Sequence, residues 1–188
     1  MTSNPHRVVT KRDGSTQNFD ETKIRRWAEY AARHNIDWEL VADSTIARLP
    51  LRTTTAEIHE TMINICLDME ELAYSRVAAR LLYAQLRKNM KLVGINDRMT
   101  FKEIHTRFVE LGLWTTVEYH EDMEWQYKEL FETRLEYWQI KQWIDKYSLK
   151  LDDEAVETAH MGALALGYAV HGHSELAFDL AKAIIRGQ

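Results

Sequence analysis

Cysteine is almost absent from this chain: Cys66 is the one thiol in 188 residues. A single thiol excludes an internal disulfide, a zinc cage built from cysteines, and any chemistry that needs a thiol pair within the chain. Proline and glycine are scarce, at 2 and 7 residues. Little therefore interrupts a helix, and the abundant Leu, Ala, Glu, Lys, Arg, Met and Gln favour one along nearly the whole length. No apolar run approaches the roughly 20 residues that span a bilayer, and the start Met1-Thr2-Ser3-Asn4-Pro5-His6-Arg7 has no apolar signal core. No membrane and a cytoplasmic location are expected. Positive charge is not in excess either: 24 Lys and Arg stand against 29 Asp and Glu, a formal net charge of -5. That balance supplies no field for a nucleic acid backbone, so no nucleic acid partner is expected.

What is present is a hydrophobic content of 45%, enough to bury a core in one large domain or two small ones. Val8 to Phe19, with Asp13-Gly14 at its centre, predicts a short β-hairpin, because Gly supplies the positive φ of a tight turn. Asp20 is placed to cap a helix running to about His34, with Ile24, Trp27, Ala28 and Ala31 on one face. Asp37 is placed to cap a second helix that stops at Leu49-Pro50. Thr54 and Glu57 have the spacing of a capping box for a third, and a fourth runs from about Glu71 to about Lys91. Lys91 to Thr100 reads as a linker, which divides the chain into 1–94 and 95–188.

Beyond it, Thr100 and Glu103 repeat the capping-box spacing, and Gly112 stands where a helix C-cap is expected. Asp153 and Ser174 are candidate caps of the last two helices; the earlier of these is lined with small residues from Ala159 to Ala169 that permit close backbone approach. Aromatic residues crowd positions 125 to 147, more bulk than a small bundle needs, so Trp138 and Trp143 are candidate anchors for a docking partner.

Cations recur at Lys11, Arg12, Lys23, Arg87 and Lys88, in a hairpin turn, a helix start and a distant helix end. If they converge they match a polyphosphate; otherwise they are solvated surface. The string Val9-Thr10-Lys11-Arg12-Asp13-Gly14-Ser15, followed by Phe19-Asp20 and Lys23-Ile24, resembles the opening of the ATP-cone domain. Thr53-Thr54-Thr55-Ala56-Glu57-Ile58-His59-Glu60-Thr61, Val77 to Leu81 and Leu86-Arg87-Lys88 resemble later cone segments as they occur in class I ribonucleotide reductase large subunits. Arg134 to Tyr137 and Lys146 to Leu149 resemble helices that precede the catalytic barrel in that family.

The resemblance implies a mainly α fold, with a short N-terminal hairpin capping a four-helix cone and a second helical region after it. It implies an allosteric nucleotide site for ATP or dATP with magnesium, lined by Lys11, Arg12, Gln17, Asn18, Phe19, Asp20, Lys23, Thr55, His59, Arg87 and Lys88. The lysines would neutralise phosphates, Phe19 would wall the base, and Thr55 and His59 would donate or accept hydrogen bonds. Gln17 departs from the family, which often has an acidic residue there, and this bears on ATP versus dATP preference.

The implied role is regulation of deoxyribonucleotide synthesis for DNA replication, as one component of an oxidoreductase. The chain would work with a catalytic-barrel part of the large subunit and a radical-generating small subunit, in effector-dependent homo-oligomers. With one cysteine, in a cone helix, the chain has no catalytic residues of its own for that reduction. The barrel is then either a separate polypeptide or the continuation of a longer chain; an initiating Met1 and the absence of a tag favour the former. The alternative is a degenerate cone serving as a helical docking module.

Other signals are weaker. His59-Glu60 opens a zincin-like pattern, but Ile63 stands where the second ligand belongs. His171 and His173 lack the carboxylate or cysteine cluster that would complete a metal site, and Cys66 among Ile65 and Leu67 reads as a small buried hydrophobe. No metal site is expected.

Overall fold

The computed structural model describes residues 7–33 and 36–187. Over these residues the chain is mainly helical, as its composition predicts, with a small sheet at the start. No helix among them is long and apolar enough to cross a membrane. The chain divides into two compact units, Met1–Leu82 and Tyr83–Gln188.

In the first unit, strands β1 (Val8–Thr10) and β2 (Thr16–Asn18) form the expected antiparallel hairpin. Gly14 takes φ +79 in the turn, and the Asp13 carboxylate accepts from both the backbone N–H (2.9 Å) and the hydroxyl (2.6 Å) of Ser15. Helix α1 (Glu21–Ala32) begins where Asp20 accepts from the Thr22 N–H. It ends at Arg33, in the left-handed region, and the side chain of Arg80 donates to the carbonyls of Ala31 and Ala32 that the helix end exposes. His34, where the sequence places the helix end, lies outside the described residues. Helix α2 (Trp38–Arg48) is capped by Asp37 and gives way to an extended Leu49 before Pro50.

One element has no counterpart in the sequence reading. Strand β3 (Arg52–Thr54) pairs parallel with β1, giving the order β2-β1-β3. Three residues of Arg-Thr-Thr carry no period of their own; pairing with β1, some 44 positions away in register, makes them a strand. Thr54 then closes the predicted capping box with Glu57 at the start of α3 (Thr55–Asp68). Ile24, Ala28, Val41, Met62, Ile65, Cys66, Val77 and Leu81 are all buried. Burial pushes the Cys66 thiol up to about 12, which makes it inert at neutral pH.

Helix α4 (Leu72–Leu92) is continuous across the division at Leu82 and Tyr83. Its second half carries Leu86 and Met90 into the core of the second unit, and the stretch read as a linker adds buried Val93 and Ile95 to the same core. The contact boundary therefore falls inside a helix rather than in the polar segment near residue 94.

The second unit continues with α5 (Phe101–Glu110), α6 (Met123–Phe131) and α7 (Tyr137–Lys146). A hairpin of β4 (Lys150–Leu151) and β5 (Glu154–Ala155) follows, then α8 (Ala159–Val170) and α9 (Ser174–Arg186). Thr100 and Glu103 form the predicted capping box of α5, and Gly112 takes φ +74 just after its end. The core is aromatic: Phe108 stacks on Trp114 at 4.3 Å, and Phe101 packs 5.8 Å from the same indole. The small residues of α8 act as expected, since a Cβ at Gly167 would lie 2.2 Å from the Ala177 carbonyl oxygen of α9.

Two expected caps are corrected. Asp153 lies in the β4–β5 turn at φ 64, and Thr158 caps α8 instead, accepting from the Met161 N–H. Ser174 is the first residue of α9, not its cap; its hydroxyl donates to Asp122 at 2.6 Å, a partner 52 positions away. Long-range pairing outcompeted the local role.

Candidate functional site

The sheet positions most of the candidate residues. Because β1 and β3 are parallel and Thr10 stands opposite Thr54, the residues that follow, Lys11 and Thr55, leave the sheet at the same end. Arg12 continues from Lys11 into the exposed hairpin turn, and His59 lies one turn into α3 beyond Thr55. β2 runs the other way, so Asn18 pairs with Val8 and leads Phe19 and Asp20 out at the opposite end. Strands of three residues separate the two ends by only about 7 Å. Gln17, at the middle of β2, bridges toward α1: its side-chain carbonyl accepts from Lys23 Nζ at 3.3 Å.

Local chemistry holds each residue in place. The N–H of Phe19 donates to the Arg7 carbonyl at 2.9 Å, and the Arg7 guanidinium lies 5.3 Å above the Phe19 ring. Hydrogen bonds from the Thr22 hydroxyl and N–H hold the Asp20 carboxyl below its ordinary range, so it stays ionised as a cap. Bonds from Thr54 and Thr53 do the same for Glu57 at the start of α3. His59 is buried, and its ring meets Trp27 of α1 edge to face at 5.2 Å.

Trp27 and Arg7 were not read from the sequence as part of this group. Trp27 fell on the apolar face of α1 and looked like core, yet it is only half-buried; Arg7 stood outside the motif, and only folding places it over Phe19. Arg87 and Lys88 belong to the second unit, where Arg87 pairs with Asp97 and Lys88 is exposed on α4.

The two tryptophans singled out for docking differ. Trp138 is 60% exposed on α7, and Tyr147, Trp125 and Phe131 are exposed as well. Trp143, one turn along from Gln139, is 9% exposed and packs inward.

Residues 7–89 match the family model of the ATP cone domain, and that stretch is an ATP-cone domain. Over 114 residues the chain is 32% identical to ribonucleoside-diphosphate reductase 1 subunit alpha of Escherichia coli (strain K12), a match that covers 58% of this chain. The matched region is 15% of that relative's length, so the chain corresponds to a small part of it.

Proposed function

We propose that this chain is the nucleotide-sensing N-terminal part of a ribonucleoside-diphosphate reductase large subunit, with ATP or dATP as its allosteric effector. The observation that supports this reading is the coincidence of the ATP-cone match at 7–89 with a sheet whose two ends lead out to Lys11 and Thr55 and to Phe19 and Asp20. Lys11, Arg12 and Lys23 would neutralise phosphates, and half-buried Phe19 would face the base. Gln17, Asn18, Thr55 and His59 would supply hydrogen bonds, and Asp20 would hold the start of α1 in register. The resemblance also assigns Arg87 and Lys88 to the nucleotide, which Lys88→Ala tests. Magnesium would arrive on the phosphates, since no cluster of three or more His, Cys, Asp or Glu side chains that could hold a metal stands among the described residues.

Regulation requires the two effectors to differ in affinity for different assembly states of the enzyme. The partners in this reading are the catalytic-barrel part of the large subunit and the radical-generating small subunit, with exposed Trp138 on a docking face, in the cytoplasm. Gln17 in place of an acidic residue is where ATP and dATP preference would be set, because its amide is already engaged by Lys23.

Thermal unfolding with ATP, dATP and GTP, each with magnesium, tests the proposal. Ligand at about 100 times its Kd adds roughly 2.7 kcal/mol, a rise of about 5 to 10 °C for a domain of this size. A saturable shift with the adenine nucleotides alone is the expected result. No shift at millimolar nucleotide would replace this reading with a degenerate cone that serves as a docking module.

A further inference from the structure

The second unit carries a partly open cavity of about 720 Å3, within the range of sites for small organic molecules. Trp114, Trp138, Trp143, Leu149, Leu166 and Ile184 are among its walls. Gln139, Gln142 and Lys146 also line it, and two buried polar groups interrupt the apolar remainder: the Glu157 carboxyl, in a residue 3% exposed, and the indole of Trp143, 9% exposed.

Neither is fully satisfied. Glu157 Oε1 accepts from Trp114 Nε1 at 2.8 Å, while among the described residues Oε2 receives only a long 3.4 Å bond from the Leu149 N–H. Trp143 Nε1 is buried with no acceptor among the described residues. An unpaired buried donor is destabilising, and native structures usually retain one only where something else completes it. Gly162 lets both groups close on the same spot of α8: a Cβ there would stand 2.2 Å from Trp143 Cζ2 and 2.4 Å from Glu157 Oε2.

We propose that this cavity is a binding site for a flat nitrogen heterocycle that carries a hydrogen-bond donor beside an acceptor, the donor bonding Glu157 and the acceptor taking the Trp143 N–H. The alternatives fail on chemistry. A purely apolar ligand leaves the Trp143 N–H unpaired and Glu157 Oε2 with one long bond. A peptide group has both functions, but its N–H and C=O point in opposite directions across a trans amide. An amino-azine edge presents them side by side, toward two groups that meet at one residue, and the indole walls offer it stacking area. The site lies wholly in the second unit and does not depend on the cone's nucleotide.

The test is NMR titration of the 15N-labelled full chain with 2-aminobenzimidazole, read on the indole N–H signals, with Trp143→Phe identifying the Trp143 resonance. That resonance is expected to move downfield and saturate. Ala169→Phe, which fills the cavity from an exposed position on its wall, is expected to abolish the shift, and Glu157→Gln to weaken binding at least tenfold. Toluene is expected to bind at least tenfold more weakly. Thermal unfolding checks that each variant is folded; if Glu157→Gln is not, Ala169→Phe and toluene decide. An unmoved Trp143 signal, full binding by Ala169→Phe or by folded Glu157→Gln, or equal affinity for toluene would overturn the proposal. So would a shift that follows protein concentration alone, since a second copy of the chain would then fill the cavity.

Discussion

In the first unit the charged residues proposed for ligand binding lie at or near the surface, beside a three-stranded sheet or at the start of α1, and the buried polar side chains among the described residues are Thr45, Thr53 and His59. The second unit instead hides Asn89, His105, Gln126, Ser148, Glu157, Thr158 and His160 among its aromatic residues. These groups bind one another's elements together: Asn89 of α4 donates to Glu154 at 2.9 Å and to the Ala155 carbonyl at 3.1 Å, and His105 of α5 bonds the Val117 carbonyl at 2.7 Å. The contrast separates two uses of polar chemistry. Exposed cations cost the fold little, whereas buried hydrogen bonds specify one packing and are expensive to disturb.

That contrast predicts a hierarchy. Phe108→Ala removes a fully buried ring stacked on Trp114 and is expected to cost about 4 kcal/mol in the second unit; urea unfolding followed by tryptophan fluorescence measures it. Nucleotide-dependent stabilisation of the first unit should survive, and its loss would show that the two units do not act separately.

Glu157 gives the next effect. Burial raises its carboxyl from 4.5 to about 7, against the lowering by the Trp114 and Leu149 hydrogen bonds. The folded state therefore holds the proton more tightly than the unfolded one. Stability is full below about pH 4.5 and falls as pH rises to about 7, by about 3 kcal/mol in all. Glu157→Gln should flatten that slope in a pH series of unfolding midpoints, and a slope that persists would assign it to another group.

Lys23→Ala reverses the pattern. It should leave the melting temperature nearly unchanged while weakening adenine nucleotide binding about tenfold, equivalent to about 1.4 kcal/mol, as isothermal titration would show. Unaltered affinity would remove Lys23 from the site. The smallest effect sharpens the comparison by being equal on both sides: Thr54→Ala and Thr100→Ala each break a capping box and should each cost about 1 kcal/mol, one in each unit. A large inequality would mean that one threonine does more than cap.

Much of the first unit was legible because its signals are local. The Asp13-Gly14 turn, the caps at Asp20 and Asp37 and the Thr54–Glu57 box each depend on atoms within four residues. The cone motif made the list of candidate residues readable, but not their arrangement at two ends of a sheet, which depends on the parallel pairing of β3. Trp27 reads as core, since neither spacing nor residue type distinguishes a ring that packs on His59 from one in the core, and only folding brings Arg7 over Phe19. In the second unit Asp153 and Ser174 looked like caps by the same local logic. There it failed, because a hairpin took Asp153 and a hydrogen bond to Asp122 took the Ser174 hydroxyl.

By itself the sequence determined the helical character, the Thr54 and Thr100 capping boxes and the hairpin turn, since propensity, capping and turn geometry act over a few neighbouring residues; the cone was legible through its resemblance to a family. Tertiary structure alone decided that β3 joins the sheet, that the two units divide within α4, and that Glu157 is buried beside Trp143. Each of these turns on contacts between residues distant in the chain, whose free energy is released only when the whole unit has packed.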